Sequence, residues 1–239
     1  MNRAIGIGVA GLGFFSGYFI ANRTSNPKAL PDRFDVLAKK YDEEIGASEK
    51  AYRLDESRRK MIGKAQGRVL EVCAGTGRNL PYYTNLVSEL ILVDASKEML
   101  QEAVKKRPSG LSSMKVMQAS DLSYFPDNSF DTIVDTFGIC SVDEPVKYLK
   151  DVKRVLKPGG QALFLEHGRV EPIDGSVGIV GLLVNKWLDF RAGSHADYWG
   201  CVWNREIVAV VQEAGFSIVD KEIQHAGTCT EIHATRKLS

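Results

Sequence analysis

Between residues 68 and 167 the sequence alternates short apolar runs with helical stretches, and this alternation limits the possible folds more than any other feature. The apolar runs are RVLEVCA (68–74), LILVDAS (90–96), MKVMQAS (114–120), FDTIVDTFGI (130–139) and QALFLEH (161–167). Between them, residues 97–106 and 144–156 space their apolar side chains at helical intervals. Strands that alternate with helices predict an α/β fold, in which a doubly wound, mostly parallel sheet carries helices on both faces.

The segments on either side extend this outline. Residues 31–66 show helical spacing, with a second, polar helix from about Ser48, and predict two helices that cover the domain as a lid. A helix at about 205–214 precedes two strand-like runs, 216–224 and 229–237. Because only a short, glycine-containing segment separates these runs, they predict an antiparallel C-terminal edge strand.

A stretch without charged side chains runs from residue 4 to residue 21 and is flanked by Arg3 and Arg23. Its length lies within the roughly 17–25 residues that cross a hydrocarbon core as a helix. Residues 1–23 therefore predict a transmembrane anchor, and residues 24–239 a single folded domain. A cleaved signal peptide is one alternative, although the usual A-x-A-like cleavage site is missing. A buried helix is the other.

The charge distribution bears on location and on partners. Basic side chains follow the charge-free stretch at Arg23, Lys28, Arg33, Lys39 and Lys40. This asymmetry predicts that the domain lies on the cytosolic or matrix side of a membrane. Over the whole chain, 31 Lys and Arg residues balance 30 Asp and Glu residues, for a net charge of +1. Nucleic acid is not expected as a partner, because phosphate contacts require a basic surplus. The basic clusters at 58–60 and 105–107 are expected to be solvated helix faces.

The cysteines and histidines show no metal-binding pattern in the sequence. The four cysteines are far apart and form no CxxC pair: Cys73, Cys140, Cys201 and Cys229. The four histidines are equally dispersed. We therefore expect neither a metal site nor a disulfide framework, and the dispersed cysteines are typical of a reducing compartment.

A glycine-containing turn follows the first predicted strand. Gly75 and Gly77, with Thr76 between them, lead from that strand into a helix. Glycine lets the backbone approach a ligand closely, and a helix N-terminus presents free N–H groups. Asp94 ends the next strand, where a carboxylate can accept both hydroxyls of a ribose. The combination predicts a cofactor that contains a nucleoside.

Two residues bear on which nucleoside cofactor is bound. The third glycine that a dinucleotide fold uses beneath the pyrophosphate is replaced by Leu80. Glu71, inside the first strand, would place a carboxylate near the cofactor, which suits a cationic amino group and opposes a phosphate. An NAD-dependent dehydrogenase is therefore a disfavoured alternative.

At four motifs the sequence resembles the class I S-adenosylmethionine-dependent methyltransferases, which have a Rossmann-like fold. The motifs are VLEVCAGTGRN (69–79), ILVDAS (91–96), FPDNSFDTIV (125–134) and RVLKPGG (154–160). The quinone C-methyltransferases share much of this pattern. Through GTGRNL, FLEH and GCVWNREIVAVVQEAGF the chain looks most like small membrane-anchored methyltransferases, namely thiol S-methyltransferase-like proteins of the endoplasmic reticulum and related proteins of the mitochondrial inner membrane.

For the methionine part of S-adenosylmethionine, the resemblance implies contacts with the first motif. Glu71 would lie near the amino group, and Gly75, Thr76 and Gly77 would surround the rest of the methionine. Cys73 stands where the family usually has its first glycine.

For the nucleoside part, the resemblance implies contacts with the ends of later strands. Asp94 would hold the ribose and Ala95 would lie beside the adenine. Ser120 and Asp121 would meet the adenine edge, and Thr136 would line the pocket floor.

Methyl transfer from a sulfonium is an in-line displacement that mainly requires donor and acceptor to be held together. A thiol acceptor needs only its thiolate, whereas a phenol or quinol benefits from a nearby base. His167, at the end of the fifth strand, and His195, in a polar loop at 191–199, are the candidate bases. A structural hydrogen-bonding role is the alternative for each.

Residues 171–200 interrupt the alternation with an unusually apolar stretch. Such an insertion covers the acceptor in methyltransferases, so an apolar cover indicates an apolar acceptor; packing as core or resting on a membrane surface are alternatives. We therefore expect a membrane-anchored methyltransferase for a small hydrophobic acceptor, a thiol or a quinone-like lipid, with the mitochondrial inner membrane favoured over the endoplasmic reticulum. A catalytically silent assembly or scaffold factor is the alternative.

Overall fold

One sheet of seven strands organises the chain, in the order β3-β2-β1-β4-β5-β7-β6. The computed structural model describes residues 30–108, 113–118, 121–172 and 176–237. The strands are β1 (Gly67–Val72), β2 (Val87–Asp94), β3 (Met114–Gln118), β4 (Phe130–Thr136), β5 (Leu156–His167), β6 (Ser217–Gln224) and β7 (Cys229–Thr235). The helices are α1 (Leu30–Ala51), α2 (Leu54–Ile62), α3 (Lys97–Lys105), α4 (Pro145–Val155), α5 (Gly178–Trp199) and α6 (Ile207–Glu213).

The sheet is doubly wound, as predicted. Strand β1 pairs in parallel with both β2 and β4, and the chain runs outward from β1 through β2 to β3 before it crosses to β4 and β5. The strand order therefore reverses between β1 and β4. In open parallel sheets a crevice forms at the carboxyl ends of the strands at such a reversal, and ligands bind there.

The C-terminal strands form the predicted antiparallel pair, but the C-terminal strand is not at the edge. Strand β7 lies between β5 and β6 and is antiparallel to both, which leaves β6 as the edge strand. Burial explains this order. Ile232 and Ala234 of β7 are fully buried, whereas β6 exposes the charged residues 220–222. Charged side chains protect an edge strand from pairing with other chains.

Both faces of the sheet are covered, and alternate residues of one strand enter different cores. Leu70 of β1 packs in a core with Val152 of α4 and Val211 of α6. Val69, its neighbour, packs on the other face with Ile62 of α2. The two-residue period of a strand produces this division, and burial on both faces accounts for the nearly continuous apolar runs in the sequence.

Some element boundaries differ from the predicted ones. Helix α1 continues to Ala51, and a left-handed residue, Arg53 with φ of 52°, separates it from α2. The predicted polar loop at 191–199 is instead the last part of α5, which is capped by Gly200, whose φ of 71° lies in the left-handed region that glycine favours. His195 is therefore a buried helical residue. The polar side chains of this segment suggested a loop, but only some of them, such as Ser194 and Asp197, are exposed.

The predicted transmembrane anchor at 1–23 lies outside the described residues. Within the part of the chain that the structure describes, none of the helices combines the length and the apolar character that crossing a bilayer requires.

Arg236 joins the end of β7 to the end of α4. Its Nη1 donates to the carbonyls of Lys153, Arg154 and Leu156, at 2.9, 3.0 and 2.7 Å. We expect Arg236→Met to lower the free energy of unfolding by about 1.5–3 kcal/mol, the usual worth of hydrogen bonds to a charged group. Urea unfolding followed by circular dichroism measures this. Lys237→Met, at an exposed neighbour, is the matched control, and equal effects of the two substitutions would contradict the role assigned to Arg236.

Candidate cofactor site

The turn after β1 is shaped by its glycines. Gly75 and Gly77 have φ of 54° and 75°, in the left-handed region that glycine favours. A Cβ on Gly77 would lie 2.6 Å from Cδ1 of Leu80 and 3.0 Å from Cβ of Ala103, so a side chain does not fit there. A Cβ on Gly75 would meet no described atom within 4 Å. The turn is thus packed tightly against α3 at Gly77 and faces open space at Gly75. A turn that binds a ligand needs such open space on one side.

Asp94, at the end of β2, lies directly beside this turn. Its Oδ2 accepts the Gly75 amide at 2.8 Å, and its Oδ1 accepts the Ser96 amide at 2.8 Å. These two bonds orient the carboxylate and leave lone pairs on both oxygens, because a carboxylate has about four acceptor positions. Burial raises the pKa of Asp94, while the backbone amides oppose this rise. Asp94 can therefore still accept two hydroxyl groups of a ligand.

Glu71 and Thr136, on neighbouring strands, are brought together by Asn79. The Nδ2 of Asn79 donates to Oε1 of Glu71 at 2.9 Å and to Oγ1 of Thr136 at 3.1 Å. The hydroxyl of Tyr83 donates to Oε2 of Glu71 at 2.7 Å. Glu71 is only 1% exposed, and this burial raises its pKa to about 7. The carboxyl is therefore held in place but is easily protonated near neutral pH.

Arg58 of α2 completes this network, contrary to the expectation of a solvated helix face at 58–60. It is 4% exposed, and its guanidinium donates to Oδ1 of Asn79 at 2.7 Å, to Oγ1 of Thr136 at 3.1 Å and to Oε1 of Glu49 at 2.8 Å. Position 58 falls on the same helix face as the buried residues Leu54 and Met61. Helical spacing could therefore have identified it, since i and i+3 or i+4 share a face.

Helix α1 lies across the glycine turn through charged contacts. The Thr76 hydroxyl donates to Oδ1 of Asp42 at 2.6 Å, and Arg78 donates to Asp42 at 3.2 Å and to Glu49 at 2.7 Å. The Ser96 hydroxyl donates to Asp35, which lies about two helical turns before Asp42 on the same helix. The first predicted helix therefore covers the turn and the start of α3.

The residues predicted to contact the adenine differ in their burial and in their neighbours. Ala95 is half-buried, and its carbonyl accepts Nε2 of Gln118 at 3.0 Å, a neighbour that the sequence did not indicate. Asp121 is exposed, and the hydroxyl of Ser123, at 2.6 Å, lowers its pKa. Ser120 lies outside the described residues. The adenine contacts of Ala95, Ser120 and Asp121 remain predictions.

The two candidate bases differ in their surroundings. His195 stacks on the ring of Trp203 at 3.8 Å between centroids, and burial lowers its pKa to about 3. Such a group is a poor proton acceptor at neutral pH. His167 is half-buried at the carboxyl end of β5, with its ring 4.5 Å from that of Phe137. Of the two, only His167 lies at the ligand edge of the sheet.

Helix α5 has an inner and an outer apolar side. Val184 and Leu188 pack beneath it with Cys140 and Trp203. Five large apolar side chains on this helix are exposed: Ile179, Val180, Leu182, Leu183 and Phe190. Core packing thus accounts for only some of the apolar residues in the segment 171–200 that was predicted to cover the acceptor.

Comparisons with known proteins agree with this geometry. A profile of the methyltransferase domain family matches residues 70–164. The mitochondrial methyltransferase OMS1 of Saccharomyces cerevisiae is 31% identical over 236 residues, covering 89% of this chain and 48% of the yeast protein. The C-methyltransferase UbiE of ubiquinone and menaquinone biosynthesis from Citrobacter koseri is 32% identical over 168 residues, covering 64% of this chain and 67% of UbiE. The chain thus spans about half the length of the yeast relative and two thirds of the bacterial one.

Solved structures show the same fold. A SAM-dependent methyltransferase from Thermotoga maritima has a TM-score of 0.61 at 22% identity, covering 86% of this chain and 99% of that one. The [4+2]-cyclase SpnF has a TM-score of 0.67 at 17% identity, covering 90% and 98%. At such identities the likeness concerns the fold alone, and the sequence relatives carry the assignment of family. The chain belongs to the S-adenosylmethionine-dependent methyltransferases.

Proposed function

We propose that this protein binds S-adenosylmethionine in the crevice at the ends of β1 and β2 and transfers its methyl group to a small hydrophobic acceptor, a thiol or a quinone-like lipid. The observation that carries the proposal is a pair of carboxylates on adjacent parallel strands, one buried and one half-buried. Glu71 is in β1 and Asp94 ends β2, with the glycine turn between them. One carboxylate suits the cationic amino group of the cofactor, and the other suits its ribose.

The methionine end of the cofactor carries both an ammonium and a carboxylate, and the network offers a partner for each. Glu71 accepts the ammonium. Arg58 is the buried cation nearest to it in the hydrogen-bond network, joined through Asn79. The Nε of Arg58 is buried without a hydrogen-bond partner among the described residues, and buried donors of this kind are costly unless a ligand satisfies them. Arg58 therefore serves the carboxylate.

When bound, the cofactor supplies a methyl group already activated by the positive sulfur. The task of this chain is then to orient the donor, admit the acceptor and exclude water. Helix α1 closes over the turn through Asp42 and Asp35, and we assign residues 31–66 the role of a lid on this basis. His167, at the end of β5, is the candidate base for an acceptor that must lose a proton.

The exposed apolar side of α5 and the names of the relatives support this acceptor class. UbiE is named for ubiquinone and menaquinone biosynthesis, and OMS1 is named as mitochondrial. Arg33, near the start of α1, donates to the carbonyl of Ala196 in α5 at 2.6 Å, so the chain that follows the uncharged residues 4–21 enters the domain beside α5. Residues 4–21 as an anchor would bring the exposed apolar side of α5 to the bilayer surface. We assign the protein to a mitochondrial membrane.

The alternative is that the protein is catalytically silent and acts as an assembly or scaffold factor. SpnF, a [4+2]-cyclase, shares the fold, so the fold by itself does not establish methyl transfer. The network around Arg58 and Glu71 favours a retained cofactor site, since a buried, incompletely satisfied ion network contributes little to stability alone.

Asp94→Ala tests the cofactor site and the activity together. We expect calorimetric affinity for S-adenosylmethionine to fall about tenfold to a hundredfold, because hydrogen bonds to a charged group are worth about 1.5–3 kcal/mol. Transfer of label from S-adenosylmethionine to a membrane-lipid extract should fall in parallel. Asp131→Ala, which removes a carboxylate bound to Arg68 and Lys157 at the opposite edge of the sheet, is the control. Label transfer by wild type to no component of lipid, thiol or quinol panels would favour the scaffold role.

The pKa of Glu71 predicts a pH-dependent cofactor affinity. The ionised form is the one that accepts an ammonium, and burial places the pKa at about 7. Affinity should therefore be high above this pH and fall as pH drops through it, by at most about tenfold per pH unit. Calorimetry from about pH 6 to about pH 8 measures this around the shifted pKa. Glu71→Gln should bind weakly with a flat profile, and Glu213→Gln, at an exposed site on α6, should keep the wild-type profile.

The exposed apolar side of α5 predicts that substitutions there slow methyl transfer to a membrane-bound acceptor but not to a water-soluble one. We expect Leu183→Asp with Phe190→Asp to slow methyl transfer to a quinol in phospholipid vesicles about tenfold, since burying such a side chain is worth about 1.5–3 kcal/mol. Transfer to a small water-soluble thiol should be unchanged. Val219→Asp, an exposed apolar residue of β6, is the control. Equal losses with both acceptors would show that α5 acts on the fold or the active site rather than on lipid contact.

A further inference from the structure

Three residues that are distant in the sequence meet beside the crevice. The atoms Sγ of Cys140, Nδ1 of His167 and Sγ of Cys201 all lie within 4.8 Å of one another. Cys140 follows β4, His167 ends β5 and Cys201 follows α5. The sequence spacing predicted no metal site, but the fold assembles three soft or borderline ligand atoms in one place.

The three ligand atoms lie close enough together to reach one ion, and the two sulfur atoms are not bonded to each other. The two sulfur atoms are 3.0 Å apart, which is longer than the bond of about 2.05 Å in a disulfide. Two sulfur atoms on one tetrahedral zinc ion lie about 3.7 Å apart, given the Zn–S distance of about 2.3 Å, so the two side chains must move apart by about 0.7 Å when an ion binds. His167 Nδ1 is 3.8 Å from Sγ of Cys201, and this also fits one ion, given Zn–N distances of about 2.0–2.1 Å.

The backbone around the cluster is held in place by buried hydrogen bonds. The amide of Val202 donates to the carbonyl of Cys140 at 2.8 Å, which ties the two cysteine segments together. The buried carboxylate of Glu166 accepts the amides of Gly138, Ile139 and Cys140, at 3.0, 3.1 and 3.2 Å. A site whose ligands are held before the ion arrives loses less conformational freedom on binding.

The cluster is also secluded from water. Cys140 and Cys201 are 1% and 6% exposed, and His167 is half-buried. Trp203, with Val184 and Leu188 of α5, packs in the same apolar cluster as the two cysteines. Thiolates buried in such surroundings are unfavourable on their own, but a bound cation compensates their charge.

We propose that Cys140, His167 and Cys201 bind one zinc ion. Two thiolates and an imidazole form a ligand set that zinc accepts in tetrahedral sites, whereas magnesium and calcium require oxygen ligands. On binding, each thiol releases its proton to solvent and the neutral imidazole donates the lone pair of Nδ1. Three protein ligands leave one tetrahedral position open, as in zinc sites that take part in chemistry. In this proposal zinc takes the place of His167 as a candidate base, because an imidazole that binds zinc through Nδ1 carries its proton on Nε2 and has no lone pair left to accept another.

Metal content of the purified chain tests the proposal. The full chain, prepared without chelators under reducing conditions and dialysed, should contain about one zinc per chain by inductively coupled plasma mass spectrometry, as one three-ligand site requires. Cys140→Ser and Cys201→Ser should each lower zinc content to background. Cys229→Ser, which alters another buried free cysteine outside the cluster, should retain the zinc.

A second measurement covers the case in which a variant fails to fold. Cobalt(II) added to the metal-free wild-type chain should produce the absorption bands of thiolate-bound tetrahedral cobalt, and zinc should remove them. Zinc should also raise the unfolding temperature of wild type but not of the Cys201→Ser variant.

Three results would overturn the proposal. The first is wild-type protein without metal and without cobalt bands. The second is zinc retained by folded Cys140→Ser and Cys201→Ser variants. The third is a Cys140–Cys201 disulfide, found by peptide mass spectrometry in protein that was never exposed to reductant, with no zinc bound after reduction.

Discussion

The burial of Arg58 and Glu71 in one hydrogen-bond network is the constraint on which the rest of the site depends. Removing a charge from water costs several kcal/mol unless partners compensate it. Arg58 has those partners on α1, on the segment after the glycine turn and on β4, while Glu71 has Asn79 and Tyr83. The network therefore requires α1, α2, β1 and β4 to be in place at once. Because the sheet positions β1 and β4 at the reversal of strand order, the fold and the cofactor crevice are specified together.

The parts of this arrangement that follow from local periodicity could be predicted, and those that depend on distant partners could not. Apolar runs and the glycine turn define β1, β2, β4 and β5 and place Glu71 and Asp94 on adjacent strands. Helical spacing can place Arg58 on a buried helix face, but it does not indicate the partners Asn79 and Thr136, which are 21 and 78 residues away. The Cys140–His167–Cys201 cluster was missed for the same reason, since motif spacing detects ligands only when they are close in sequence.

For helix α5, the sequence pattern does not show which apolar side chains are buried. Its apolar side chains are compatible with core, cover and membrane contact, and the structure divides them: Val184 and Leu188 pack inward, while Leu183 and Phe190 are exposed. Periodicity could not make this division, because the helix is apolar around most of its circumference. The bond from Arg33 to the carbonyl of Ala196 then joins the C-terminal part of this helix to the start of α1. The inner side of this helix is thus core, and only its outer side is free for a contact outside the domain.

Backbone conformation connects the cofactor crevice to the cysteine cluster. Cys73 and Phe137, which follow β1 and β4, have φ of 50° and 60°, although neither is glycine. Residues in such conformations cost on the order of 1–3 kcal/mol and persist where surrounding structure enforces them. Here the two turns interlock, because a Cβ on Gly138 would lie 2.7 Å from Cβ of Cys73. The turn at Phe137 directs its ring beneath the Arg58 guanidinium, 5.4 Å away, and against His167, 4.5 Å away. One aromatic ring therefore packs against both the Arg58–Glu71 network and the Cys140–His167–Cys201 cluster.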